Sequence, residues 1–71
     1  MSKYHEQFML PYNTIDNDVT SDKTLDEITD EVRNQIETAI NNRSLVSIKG
    51  PHKAQLFDPQ KLIVFEIEKI N

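Results

Sequence analysis

The feature that most constrains the fold is one amphipathic helix pattern in the middle of the chain. Apolar residues recur every three or four positions over about four turns. They are Leu25, Ile28, Val32, Ile36, Ala39 and Ile40. Thr24 directly precedes this stripe, and Glu27 lies three residues after Thr24, which is the spacing of a capping box. We expect the helix to end at residues 41–43, with an asparagine as its left-handed cap. A helix with one apolar stripe has to cover a second layer.

The strongest strand pattern lies in residues 61–70, which read KLIVFEIEKI. β-branched and aromatic residues dominate this run. We expect it to be the central strand of the sheet, because an exposed edge of such composition promotes aggregation. Alternation places Ile63, Phe65 and Ile67 on the core face. Leu62 and Val64 then lie on the other face without predicted cover, which indicates a partner.

Three further strands are predicted at residues 4–10, 45–49 and 53–57. Turn signals separate them, since Pro11 ends the first and Gly50-Pro51 divides the other two. Short connections predict that the last three strands form an antiparallel meander. The first strand could pair with the second or with the last.

Residues 12–23 are rich in Asn, Asp, Ser and Thr, whose side chains compete with regular structure, so an exposed acidic and polar loop is predicted there. The predicted fold class is therefore α+β, with element order β-α-β-β-β. We expect residues 1–71 to form a single two-layer domain, in which the helix packs on a small, mainly antiparallel sheet.

Composition limits the possible classes of protein. A chain of 71 residues has room for one domain and buries only about 60% of its unfolded surface. It contains no cysteine, so disulfides and thiolate metal sites are excluded. The longest apolar run, residues 62–65, is far shorter than the roughly 20 residues of a membrane span. The first residues do not resemble a secretory signal, and we expect a cytoplasmic location without membrane contact.

The net charge of −4 is unevenly distributed. Residues 16–37 contain eight acidic residues and two basic ones, whereas the rest of the chain is slightly basic. Two interaction surfaces follow from this pattern. The first, for a protein partner, combines an acidic helix face with the uncovered apolar residues: Asp26, Glu27, Asp30, Glu31, Glu37, Leu62 and Val64. The second, for nucleic acid, consists of Arg43, Lys49, His52, Lys53 and Lys61.

Two metal sites are possible from the sequence. Residues 16–27 have the length of an EF-hand loop, with acids at its first, third and last positions. Ser21 replaces the glycine of that loop, which favours an acidic loop that leads into a helix cap. His5 and His52 could bind zinc only with a third ligand from Glu6 or Asp58, and isolated surface histidines are the more common case.

We expect a small noncatalytic interaction module that binds protein through a sheet edge or the acidic helix face, and that forms a homodimer or joins a larger assembly. The alternative is a nucleic-acid-binding accessory protein that uses the basic residues. No pattern of nucleophile, paired carboxylates or phosphate loop indicates an enzyme, a cofactor or a small-molecule substrate. The layout resembles that of many compact bacterial or phage proteins, a resemblance of architecture that implies no activity.

Overall fold

The computed structural model describes residues 1–50 and 52–71. Five strands, one α-helix and one 3-10 turn make up this part of the chain. In sequence order they are β1 (Ser2–Met9), β2 (Thr14–Ser21), α1 (Leu25–Asn41), β3 (Val46–Lys49), β4 (Ala54–Phe57), the 3-10 turn (Pro59–Lys61) and β5 (Val64–Lys69). The predicted α+β class is confirmed, but the strand order differs from the prediction. No helix in residues 1–50 and 52–71 has the length and apolar character to cross a membrane.

Helix α1 begins with the predicted capping box. The Glu27 amide donates to Thr24 Oγ1 at 3.2 Å, and the Thr24 amide donates to Glu27 Oε1 at 2.9 Å. The middle of the predicted stripe is buried, namely Ile28, Val32, Ile36 and Ala39. Its two end members, Leu25 and Ile40, are more than one-third exposed. The stripe therefore covers the sheet over its central turns.

The C-terminus of α1 differs from the prediction that an asparagine is its left-handed cap. Arg43 takes the left-handed conformation, with φ of 54°, while Asn42 stays right-handed. The Ser44 amide donates to the Ala39 carbonyl at 2.9 Å, and the Arg43 amide donates to the Ile40 carbonyl at 3.2 Å. This pair of bonds is the Schellman motif, which satisfies carbonyls at the helix end. The motif places its left-handed residue one position after the asparagine.

The prediction of a loop at residues 12–23 is wrong, because β2 occupies most of that segment. β2 pairs antiparallel with β1 along its whole length, and Ile15 lies opposite Phe8. Ile15 is only 3% exposed. A strand with one buried face needs apolar residues at alternate positions only, and two of these positions in β2 hold Asn17 and Ser21 instead. The polar composition of β2 reflects its uncovered face.

The predicted meander is also wrong. β3 and β4 form a separate antiparallel hairpin, whereas β5 pairs with β1, so the main sheet has the order β2-β1-β5. β1 is therefore the central strand, and β5 is an edge strand. After β4, Asp58 caps the 3-10 turn by accepting a hydrogen bond from the Gln60 amide. The Ile63 amide then donates to the Met9 carbonyl, which starts the pairing with β1. Of the predicted turn between β3 and β4, Pro51 lies outside the described residues.

The core lies between α1, the β3–β4 hairpin and one face of the main sheet. Phe8 is at its centre, with ring centroids 5.4 Å from Phe57 and 6.2 Å from Phe65. Two predictions about residues 61–70 are corrected here. Ile63 is 68% exposed and does not lie in the core. Leu62 packs against the core and does not lack cover; it lies between the 3-10 turn and β5, so the alternation of β5 does not extend to it.

Candidate protein-binding edge

The main sheet has one face that α1 and the hairpin leave uncovered, which we call the open face. Cross-strand pairing places its side chains in rows, because residues that lie opposite each other point to the same side. One row is Asp18, His5 and Glu68, and the next row is Asp16, Gln7 and Glu66. The open face is therefore predominantly acidic, with Lys3 and His5 as the basic residues of its central strand.

His5 compensates the two aspartates of β2. Its Nδ1 atom lies 2.6 Å from Asp18 Oδ1, and its Nε2 atom lies 3.0 Å from Asp16 Oδ1. Both hydrogen bonds raise the pKa of His5, and the bond with Asp18 contributes more than the bond with Asp16. Protonated His5 thus neutralises part of the charge on the β2 side of the open face.

The β5 side of the open face has no comparable compensation. Glu66 and Glu68 are exposed and form no ion pair or side-chain hydrogen bond within residues 1–50 and 52–71. Val64 and Ile70 flank them and are 41% and 50% exposed. The β5 strand therefore presents two unpaired carboxylates between two exposed apolar side chains.

The backbone of β5 is unpaired along its outer side. The Ile70 amide donates to the Lys3 carbonyl at 2.7 Å, so even-numbered residues of β5 bond to β1. Antiparallel pairing alternates, and the amides and carbonyls of Phe65, Ile67 and Lys69 consequently point away from β1. In the described chain no strand lies on that side. We call this row of backbone groups, with Val64, Glu66, Glu68 and Ile70, the β5 edge.

The predicted acidic helix face is largely engaged within the molecule. Glu27 belongs to the capping box, and the hydrogen bonds from Thr24 lower its pKa. Glu31 pairs with Lys23. Asp30 accepts from Arg33 Nη2 at 2.7 Å. Of the predicted acidic set, Asp26 and Glu37 form no ion pair with the described residues.

The predicted basic residues do not form one surface. Lys49, His52 and Lys53 lie at the tip of the β3–β4 hairpin. Arg43 instead lines a cleft of about 480 Å³ beside the 3-10 turn. Lys61 is the last residue of that turn. Tip and turn lie at opposite ends of the hairpin, so a nucleic acid would meet two separate basic groups.

The EF-hand interpretation fails on geometry. Residues 16–21 are extended in β2, whereas an EF-hand loop wraps around its ion. Glu27, the last ligand of that pattern, is committed to the helix cap. His5 contacts aspartates of β2, while His52 lies at the hairpin tip. Within residues 1–50 and 52–71, no group of three or more potential metal ligands is assembled.

Comparison of the chain with protein-family models, with curated proteins and with solved structures gives no significant match. The geometry of the site is therefore the basis for a functional assignment.

The sequence pattern predicts Val64 in an interface but does not indicate Glu66 and Glu68. It also does not indicate the contact of His5 with Asp16 and Asp18. The signal for both was alternation, since acids recur at every second position in each edge strand. A loop at residues 12–23 would leave His5 without a partner strand, so this signal becomes visible only when β2 is paired with β1.

Proposed function

We propose that the protein is a small noncatalytic interaction module that binds an extended, basic segment of a partner protein along the β5 edge. The observation that supports this proposal is the outward row of backbone groups on β5, bordered by two uncompensated carboxylates. An added strand gains main-chain hydrogen bonds from such an edge, while alternate side chains give specificity. Lysine or arginine on the open side of the added strand would face Glu66 and Glu68.

Charge favours a different partner over a second copy of the chain. Two copies could join their β5 edges in antiparallel orientation with both helices on the same side of the joined sheet. Even-numbered residues of one copy would then lie opposite even-numbered residues of the other. In registers centred on residues 66 to 68, Glu66 or Glu68 would then lie opposite a glutamate of the other copy, or opposite an apolar residue. Like charges that lie directly opposite each other are destabilising. A basic segment avoids this repulsion and satisfies the same backbone groups.

The second candidate surface, the helix face, is less suited to the role. Three of its five acids already have partners within the molecule. A partner would have to replace these contacts. The β5 edge instead offers backbone groups and two carboxylates that have no partner within the described residues. We therefore assign recognition to the edge of the sheet and not to α1.

A peptide with alternating valine and lysine is a direct probe. We expect it to shift the backbone amide resonances of β5, and we expect a peptide with alternating valine and glutamate to leave them unchanged. Glu66→Lys with Glu68→Lys should reverse this preference. The matched control is Asp26→Lys with Glu37→Lys, which makes the same change of net charge on α1 and should keep the preference for lysine. Equal binding of both peptides, or loss of preference in the control, would contradict the proposal.

Two alternatives are separated by simple measurements. Self-association would appear as a solution mass that increases with protein concentration. The proposed role, a cytoplasmic accessory protein that binds a different partner, does not require self-association. Nucleic-acid binding is favoured only by the hairpin-tip group of Lys49, His52 and Lys53. A gel shift with single-stranded DNA at low salt, lost when Lys49 and Lys53 are changed to Glu, would support that role instead.

A further inference from the structure

A second site lies on the opposite side of the main sheet, between β2 and α1. It is a cleft of about 240 Å³ whose lining includes Glu6, Val19, Ile28, Val32 and Gln35. Clefts that take drug-sized ligands measure about 300–1,000 Å³, so this one is suited to a single side chain or a small molecule. Three of these residues are apolar, and Glu6 supplies a carboxylate.

Glu6 is an unusual residue for the buried face of a central strand, where its exposure is only 6%. Asn17 Nδ2 donates to its Oε1 atom at 3.2 Å. Oε2 accepts no hydrogen bond from the described residues, yet it is not sealed from solvent. The cleft that Glu6 lines therefore provides its opening to solvent. Burial raises the pKa of this carboxyl, which shows that the folded chain compensates its charge poorly.

We infer that the cleft binds an alkylammonium group, with the ammonium at Glu6 Oε2 and the alkyl chain against Val19, Ile28 and Val32. A guanidinium pairs best with both oxygens of a carboxylate. Asn17 already occupies Oε1, so a compact ammonium, which needs one oxygen, fits better. At the rim, Glu31 is paired with Lys23 and adds no net charge. The Lys23 carbonyl accepts from the Tyr4 hydroxyl at 2.5 Å, which fixes this rim.

The occupant can be a lysine side chain of a polypeptide or a free amine, and both share this chemistry. The site is independent of the proposed β5 edge, because β2 and β5 are the two opposite edges of the sheet. Failure of one proposal therefore leaves the other intact.

The test is a titration followed by amide NMR at neutral pH, with n-butylammonium chloride against sodium chloride of equal ionic strength. We expect saturable shifts at Glu6, Val19 and Ile28, and none with n-butanol, which lacks the charge. Glu6→Gln should weaken binding at least tenfold, whereas the exposed control Glu37→Gln should bind like the unmodified protein. Nα-acetyl-lysine amide then identifies the source: tighter binding than n-butylammonium indicates a polypeptide lysine, and weaker binding indicates a free amine. Unchanged affinity in Glu6→Gln, or equal shifts with n-butanol, would overturn the inference.

Discussion

Glu6 and Asn17 lie directly opposite each other on β1 and β2, and Asn17 Nδ2 donates to Glu6 Oε1 at 3.2 Å. One neutral hydrogen bond does not replace the hydration that a carboxylate loses on burial. Burial therefore raises the pKa of Glu6 above its ordinary value of 4.5, although the bond from Asn17 opposes this shift. The centre of the main sheet thus contains a charge that opposes folding.

We expect Glu6→Gln to stabilise the protein at neutral pH. A carboxyl whose pKa is raised by folding destabilises the folded state above that pKa, and this cost disappears as the pH falls below its ordinary value. The gain in melting temperature should therefore be largest near pH 7 and vanish near pH 4. Thermal unfolding at several pH values measures it, with Glu37→Gln as the exposed control. A variant that is less stable than the unmodified protein at pH 7 would contradict this account.

The second expectation concerns His5. Its contacts with Asp18 and Asp16 raise its pKa above 6.5. The stabilisation is thus fully present below the ordinary pKa and is lost as the pH rises through the folded pKa. An NMR titration of the imidazole should show the raised pKa, and Asp18→Asn should lower it more than Asp16→Asn does. Asp22→Asn, which removes an exposed acid beyond β2, is the control, and an equal effect of all three changes would contradict the assignment.

The capping box gives a third expectation. Thr24→Ala should destabilise the protein by about 1 kcal/mol, because the Glu27 amide loses its acceptor. Thr38→Ala is the matched control, since Thr38 is exposed within α1 and alanine favours a helix there. Urea denaturation measures both changes. Equal destabilisation by the two substitutions would show that the cap contributes nothing specific.

The fourth expectation concerns Arg43, whose backbone is in the left-handed conformation. Glycine adopts this conformation without steric cost, so Arg43→Gly should stabilise the protein by roughly 0.5–1 kcal/mol. The neighbouring change Asn42→Gly should give no such gain, because Asn42 is right-handed. Denaturant midpoints of the two variants decide the matter. A loss of stability in Arg43→Gly would show that its side chain contributes more than its backbone strain costs.

The sequence predicted those elements whose signals are local. The helix was predictable from the spacing of Ile28, Val32 and Ile36 together with the Thr24 and Glu27 cap, all within a few turns. The strands of the β3–β4 hairpin were predictable because a turn signal separates them. Each of these signals depends on residues close to one another in the chain.

Pairing over long distances was not predictable in the same way. The pairing of β5 with β1 joins the two ends of the chain, and no local pattern distinguishes it from a meander. β2 was missed because Asn17 and its polar neighbours mask a strand that only Ile15 and Val19 indicate. Its polar positions make sense only beside β1, where Asn17 meets Glu6. A central position of β5 would exclude an open edge there, so the candidate edge follows only from the strand order β2-β1-β5.

The central claim, that β5 presents an open edge, is tested most directly by amide hydrogen exchange of the protein alone. We expect alternating protection along β5, because Glu66 and Glu68 donate to β1 while Phe65 and Ile67 point outward. The amides of Phe65 and Ile67 should therefore exchange faster than those of Glu66 and Glu68. Slow exchange at all four positions, independent of protein concentration, would show that the outer side of β5 is covered and would contradict the claim.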